Sequence, residues 1–419
     1  MDRRVFSWAL YDWANSAYAT VVMAGFFPVF FKQYWAGDLA ANESTFALGV
    51  ANSLASVLIA LCAPVLGAIA DRAGARKRLL LFFTVIGVCA TAALYMVAQG
   101  HFVAALAFYV IATLGFMGGN LFYDALIVEV ATEERFDRVS AWGYALGYLG
   151  GGLVFAALVA LAVFPQRFGF ADSAQVVRLS FLVVAVWWLV FSLPVLLFVR
   201  ETRPAARGSF FDTVRAGMRQ LRDTFRHLRQ LRMVMLFLGA YWLYIDGVDT
   251  IIRMAVDYGL ALGFHSNDLI TALLITQFIG FPAAVAFGRI GERFGTRSGI
   301  YIAIAVYAAV TIWAAFIDSV AEFYQIAVVI GLVQGGIQSL SRSMYARLIP
   351  PDKSAEFFGF YNMLGKFAAV IGPLAMGWVA LLTGSARFSV LALLVLFALG
   401  ATLLYFVDVE QGRGLRRGL

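Results

Sequence analysis

Twelve long apolar runs follow one another along the chain, at 5–31, 46–70, 79–98, 102–130, 140–164, 177–199, 233–261, 269–291, 298–317, 323–348, 357–382 and 388–407. At about 1.5 Å of rise per residue, each is long enough as a helix to cross a hydrocarbon core of about 30 Å. None shows the strict alternation of a half-buried strand, and most are apolar on every side, as helices among lipid and other helices are. Gly and Pro inside the runs are compatible with bundle helices, whose neighbours re-satisfy the freed backbone groups. The pattern predicts an all-α membrane protein of twelve transmembrane helices. No stretch between the runs is long enough for a separate soluble domain.

The polar residues inside these runs are few, and some of them repeat. Trp8, Asp12, Asn15 and Ser16 recur as Trp242, Asp246, Asp249 and Thr250, all at one offset of 234 positions. A carboxylate at bilayer depth is costly, so a matched pair of such faces half a chain apart predicts a duplicated helix with a common use. The chain accordingly divides into a six-helix half at 1–199, a linker at 200–232 and a second six-helix half at 233–419.

Composition agrees with this pattern and adds orientation. Of 419 residues, 62% are hydrophobic and only 14% charged, which excludes an ordinary soluble domain. Placing the N-terminus in the cytoplasm puts 24 of the 32 Lys and Arg residues on the inner side. Both termini are therefore expected to be cytoplasmic, and the net charge of +7 is this inner rim rather than a nucleic-acid footprint. Met1-Asp2-Arg3-Arg4 before a long apolar run looks like a signal anchor. Within the linker, Phe211, Val214, Met218, Leu221, Phe225 and Leu228 recur at helical spacing opposite Arg215, Arg219, Arg222, Arg226 and Arg229. That predicts either an amphipathic helix on the inner leaflet or a basic tether that merely obeys topology. Cys62 and Cys89 lie in separate runs, and His101, His227 and His265 are scattered, so no disulfide, metal site or cofactor is expected.

A second repeat closes helices 2 and 8. Gly67-Ala-Ile-Ala-Asp71-Arg72-Ala-Gly74 and Gly288-Arg-Ile-Gly-Glu292-Arg293-Phe-Gly295 share one order, Gly-x-x-x-acid-Arg-x-Gly. The first Gly lets helices approach, the acid can pair with Arg or cap a neighbouring helix, and the last Gly permits a tight turn. Asp71, Arg72, Glu292 and Arg293 are thus candidate gating residues. The arrangement resembles the loop signature of the major facilitator superfamily.

Further motifs narrow that resemblance. Tyr11-Asp12-Trp13-Ala14-Asn15-Ser16-Ala17 is similar to the opening signature of the vacuole-effluxer, autophagy-permease-like branch. Tyr244 to Ile251, Gln334 to Ser343, Gly359 to Lys366 with Gly372-Pro373, and the Gly- and Tyr-rich stretch from Ser140 to Gly152 resemble its helices 7, 10, 11 and 5. Asp124 stands where that branch commonly has Asn, and Asp249 where it commonly has Gln. The resemblance implies two pseudo-symmetric six-helix halves around a central cavity. It also implies a transporter of small polar solutes, with amino acids leaving the vacuole as the eukaryotic case. The compact, Arg- and Ala-rich chain suggests a bacterial inner-membrane protein, monomeric and surrounded by membrane lipid.

Candidate binding residues follow from charge and helix position. In the first half these are Asp12, Asn15, Asn120, Tyr123 and Asp124; in the second, Asp246, Asp249, Gln334, Gln338, Arg342 and Lys366. Asp12 has no basic residue on its own helical face until Lys32, so it needs a partner helix, a proton or a solute. Asp246, Asp249, Thr250, Arg253 and Asp257 form one stripe, in which Arg253 can neutralise its neighbours locally. Acids on one half and Arg342 or Lys366 on the other would suit a zwitterion, or would form a gate by pairing directly; one pair could do both. Gly143, Gly147 and Gly151 form a small-x-x-x-small ladder expected to serve packing. The expected function is a secondary transporter coupled to protons. A flippase for lipid or glycan intermediates, or a receptor, is the alternative on the same fold. No catalytic constellation or nucleotide-binding loop is present, so an enzyme is not expected.

Overall fold

A computed structural model describes residues 2–201, 210–226, 231–367 and 371–416. Twelve helices in it are long and apolar enough to cross a membrane: Arg3–Trp35, Phe46–Ala73, Arg76–Met96, Phe102–Val130, Glu133–Val163, Ser173–Phe198, Arg232–Ala255, Asn267–Phe294, Thr296–Ala314, Val320–Leu348, Pro351–Thr383 and Arg387–Tyr405. They are numbered here as spans 1 to 12. Among the described residues no strand occurs. Several spans begin a few residues earlier than the apolar runs, because a polar or basic first turn stays helical once the apolar segment has nucleated it. Gly74 and Gly295, which end spans 2 and 8, have φ of 55° and 90°. An L side chain is strained there, which accounts for the last Gly of both repeated signatures.

Span 11 covers the helix expected at 357–382 and extends it to Pro351–Thr383. It consists of Ser354–Phe367 and Ile371–Thr383, with 368–370 outside the described residues.

Six of the spans precede the linker helix Phe210–Arg226 and six follow it. Spans 2 and 11 pair across the halves, as do spans 5 and 8. The side of the bundle bearing the N-terminal residues and the linker helix is called the linker face below, and its opposite the far face. One buried apolar cluster takes in the second half together with linker-face residues of the first, among them Trp8, Ala70, Leu126 and Phe136. A second cluster fills the far-face part of the first half, around Phe27, Trp35, Tyr109 and Trp188. The halves therefore share a core on the linker side. Gly67 and Gly359 make the closest approaches there. A Cβ on Gly67 would stand 2.1 Å from the Ala355 carbonyl oxygen, and one on Gly359 2.6 Å from that of Ala63. Toward the far face, spans 2 and 11 expose Leu54, Leu61, Trp378 and Leu381 instead.

The linker helix is described over Phe210–Arg226 and lies against protein along part of its length. Among its described positions Gly217, Gln220, Leu221 and Thr224 are buried, Val214 is partly buried and Met218 is exposed. Gly217 faces the backbone of Ile69 in span 2, and Gln220 donates to the buried carboxylate of Glu356 in span 11. The helix thus docks on protein through a small residue, two polar ones and Leu221. Leu228 and Arg229, and the side chains of Phe211, Phe225 and Arg226, lie outside what is described.

Candidate functional site

The guanidinium of Arg342 joins the two halves. Span 10 carries it into a pocket formed by spans 1, 4 and 5, where the residue is only 1% exposed. Nη1 donates to Asp124 Oδ1 at 3.0 Å and to Asp12 Oδ2 at 3.5 Å. Nε donates to the Ser140 hydroxyl and Nη2 to the Ser140 carbonyl, both at 2.9 Å. The guanidinium carbon lies 4.4 Å from the ring centre of Tyr144, 4.8 Å from Trp8 and 5.2 Å from Tyr123, within cation–π range of all three. Tyr123 donates its hydroxyl to Asp12 Oδ2 at 2.7 Å, and Asn362 of span 11 donates to Asp124 Oδ2 at 3.2 Å. Trp8 donates its indole N–H to the Tyr123 carbonyl at 2.9 Å and stacks on that ring. One cation and two carboxylates are thereby held out of water, an arrangement that survives only with this density of partners.

Glycine makes the room. A Cβ at Gly143 would lie 2.7 Å from Asp12 Oδ2 and from the Tyr123 hydroxyl, and 2.8 Å from Arg342 Nη2. Gly147 and Gly151 lie against Ser16 and Thr20 of span 1. The ladder packs span 5 on span 1 as expected, but Gly143 also bounds the charge cluster, which the packing explanation left out.

Toward the linker face, three further clusters hold the halves together. Asp71 takes the backbone N–H groups of Ala355 and Glu356 at 3.1 and 2.8 Å, capping the start of span 11, and accepts from Arg76 Nε at 2.8 Å. Its partner is Arg76, not the adjacent Arg72, which is exposed. Arg76 also reaches Glu129 at 2.9 Å and the Pro351 carbonyl at 3.3 Å. Glu292 pairs across the halves with Arg138 at 2.8 Å, while Arg293 is exposed beside Phe294. Between these, Asp137 of span 5 accepts from Arg347 Nη1 at 2.9 Å and Nη2 at 3.0 Å, from Thr296 and from Ser343.

The other expected site residues have separate surroundings. Asn15 donates to Asn120, tying spans 1 and 4 within one half. Asp246 is fully buried inside the second half, where its oxygens take the backbone N–H groups of Ile371 and Gly372 at 3.1 and 3.0 Å and the Thr250 hydroxyl at 3.2 Å. Asp12 and Asp246, matched in sequence, are therefore not matched in surroundings: one faces the other half, and the other takes two backbone N–H groups of span 11 in its own half. Asp249 and Lys366 are partly exposed, and neither makes a hydrogen bond or close ion pair among the described residues. Lys366 interacts electrostatically with Asp249 and with Asp124 of the opposite half. Gln338 accepts from Tyr148 across the halves at 3.1 Å, and Gln334, one turn away, is partly exposed. The side chain of Asp257 lies outside the described residues.

Sequence reasoning did not single out Asp137, Arg347, Ser140, Tyr144 or Glu356 as site residues. Asp137 and Arg347 sit at helix ends, where charges look like ordinary topology signals. Ser140 and Tyr144 stand one turn apart beside Gly143, so the i, i+4 spacing was the available clue.

The comparisons with known proteins bear on the whole chain. A family described as "Vacuole effluxer Atg22 like" matches residues 2–133 and 128–415. The MFS-type transporter YxiO of Bacillus subtilis (strain 168) is 39% identical over 406 residues, covering 96% of this chain and 94% of its own length. Autophagy-related protein 22-1 of Phaeosphaeria nodorum is 29% identical over 269 residues, covering 57% of this chain but 47% of its own. The chain thus spans about half the length of that fungal relative. Among solved structures, the human organic anion transporter MFSD10 (TETRAN) aligns with a TM-score of 0.72 at 16% identity, over 96% of this chain and 99% of its own. The proton:xylose symporter XylE aligns at 0.71 with 13% identity, over 99% and 97%.

Proposed function

The chain belongs to the Atg22-like vacuole-effluxer branch of the major facilitator superfamily, and from that premise we propose that it is a proton-coupled secondary transporter of a small polar solute. The solute class is an amino acid or similar zwitterion. The linker face is the cytoplasmic side of a bacterial inner membrane, and the fungal relatives' family name favours export as the direction.

The contact of Arg342 with Asp12 and Asp124 carries this proposal. It closes the path between the halves on the linker side, and charges at such depth are retained for a use. Alternating access rocks one half against the other around a central site. Opening the linker face must then withdraw Arg342 and leave Asp12 without its cation. A carboxylate that exchanges Arg342 for a proton as the halves rock, as Asp12 would, couples a pH gradient to the movement. On the far side of this contact, Lys366 and Asp249, which act on one another electrostatically without a hydrogen bond, offer opposite charges for the carboxylate and ammonium of a zwitterion.

Proteoliposomes loaded with labelled amino acids test both parts. Saturable exchange is expected in the wild type, with accumulation when a pH gradient is imposed. Asp12→Asn, which leaves Asp124, the carboxylate nearer to Arg342, in place, should retain exchange and lose the accumulation. Gradient-driven accumulation that survives Asp12→Asn removes Asp12 as the coupling residue. The exposed apolar far ends of spans 2 and 11 are what a lipid-handling protein would use. Movement of labelled lipid without any saturable solute flux would replace the transporter of polar solutes with that alternative.

A further inference from the structure

We propose that the pocket around Arg342 is itself a recognition site for a guanidinium-bearing solute, occupied here by a guanidinium on a tether. The proposal rests on the transporter function above and assigns its solute a positive charge.

The pocket belongs almost wholly to the first half. Trp8, Asp12, Tyr123, Asp124, Ser140 and Tyr144 come from spans 1, 4 and 5, and together they supply every hydrogen-bond acceptor and every ring around the guanidinium. Span 10 supplies the guanidinium. The acceptors match its shape: carboxylates take Nη1 on one side, and the hydroxyl and carbonyl of Ser140 take Nε and Nη2 on the other. An ammonium on a flexible stem cannot fill that planar fork equally. Tyr123 is held by Asp12 and by Trp8, so much of the pocket keeps its own internal support without Arg342. Gly143 leaves open the space the guanidinium fills.

Charge gives the pocket its selectivity. Two carboxylates touch one cation, with Lys366 acting on Asp124 only at longer range, so withdrawal of Arg342 leaves two negative groups without a contacting cation against three aromatic faces. Protons can relieve the charge, but only a planar cation also restores the ring contacts and the Ser140 bonds. Arg342 and such a solute exclude one another. A solute that binds only where Arg342 has left favours the state with the linker face open, because its affinity differs between the two states. Binding and gate opening are then one event.

The probes are agmatine, L-arginine, L-citrulline, whose ureido group is a neutral near-isostere of guanidinium, and L-leucine. With purified full-length protein, Arg342→Ala should bind agmatine at least about tenfold more tightly than the wild type, which must first displace its own side chain. Agmatine should also raise the thermal midpoint of Arg342→Ala, and citrulline should do neither. Equal agmatine affinity in the two proteins, or equal binding of citrulline and arginine by Arg342→Ala, overturns the proposal. Should that variant fail to fold, counterflow into wild-type proteoliposomes decides. Exchange of arginine and agmatine that excludes citrulline, and that weakens in Trp8→Leu, supports the pocket. Exchange of leucine and citrulline but not arginine or agmatine overturns it while leaving the transporter intact. No exchange of any of the four counts against both.

Discussion

Asp12 and Asp246 illustrate what single residues reveal. Their matched sequence positions suggested a matched role, yet backbone N–H groups hold Asp246 and a guanidinium from the other half holds Asp12. The isolation of Asp12 was legible, because no basic residue shares its helical face. The backbone N–H groups that Asp246 takes were not, since they lie within an apolar stretch 125 residues further on. The two acids should therefore respond differently to amidation. Asp246→Asn keeps an acceptor for one N–H group but turns an amide donor toward the other. A loss of about 1–3 kcal/mol of stability is expected, seen as a lower thermal midpoint, with the pH dependence of transport retained. A variant of unchanged midpoint but altered pH dependence would move Asp246 into the coupling machinery. Gly143→Ala should do the reverse of Asp246→Asn. Its methyl group would displace Asp12, Tyr123 and Arg342 together, so exchange should fall far more than in Gly151→Ala, which meets Thr20 and Ser16.

At the scale of elements, hydrophobic length placed all twelve spans, because spanning a bilayer leaves little freedom in how long an apolar helix can be. It says less about the linker helix, whose buried positions among those described are Gly217, Gln220, Leu221 and Thr224. A helix seated on protein can be anchored by a small residue and a hydrogen bond, neither of which adds to an apolar stripe. Gly217→Leu should consequently lift this helix from span 2, where even a Cβ would lie 2.9 Å from the Ile69 side chain. Limited proteolysis within 210–226 should become faster than in the wild type, while Met218→Leu, at an exposed position, should leave it unchanged. Equal protection in Gly217→Leu would mean that the helix is not held by this contact.

For the whole molecule, the decisive features are contacts between residues some 150 to 340 positions apart, and these are what sequence disclosed least. Both repeated acid-Arg-x-Gly signatures lie at the closed linker face, but they are not equivalent there. Asp71 is buried, takes two backbone N–H groups of span 11 and holds the buried Arg76. Glu292 meets Arg138 where that arginine's side chain is 60% exposed. An exposed pair contributes about 0–1 kcal/mol, whereas removing one member of a buried pair commonly costs about 3–5 kcal/mol. Arg76 retains Glu129, so the lower end of that range applies to Asp71. Since about 1.4 kcal/mol changes a two-state ratio tenfold, Asp71→Asn should shift the population toward an open linker face by tenfold or more. Glu292→Gln should shift it by a factor of about five at most. Spin labels at the linker-face ends of spans 2 and 11 would record this as a longer distance population that grows in the first variant and barely changes in the second. Equal distributions in the two variants would mean that the closed face is held by Arg342 and Asp137 alone, with the repeated signatures serving only to turn the chain.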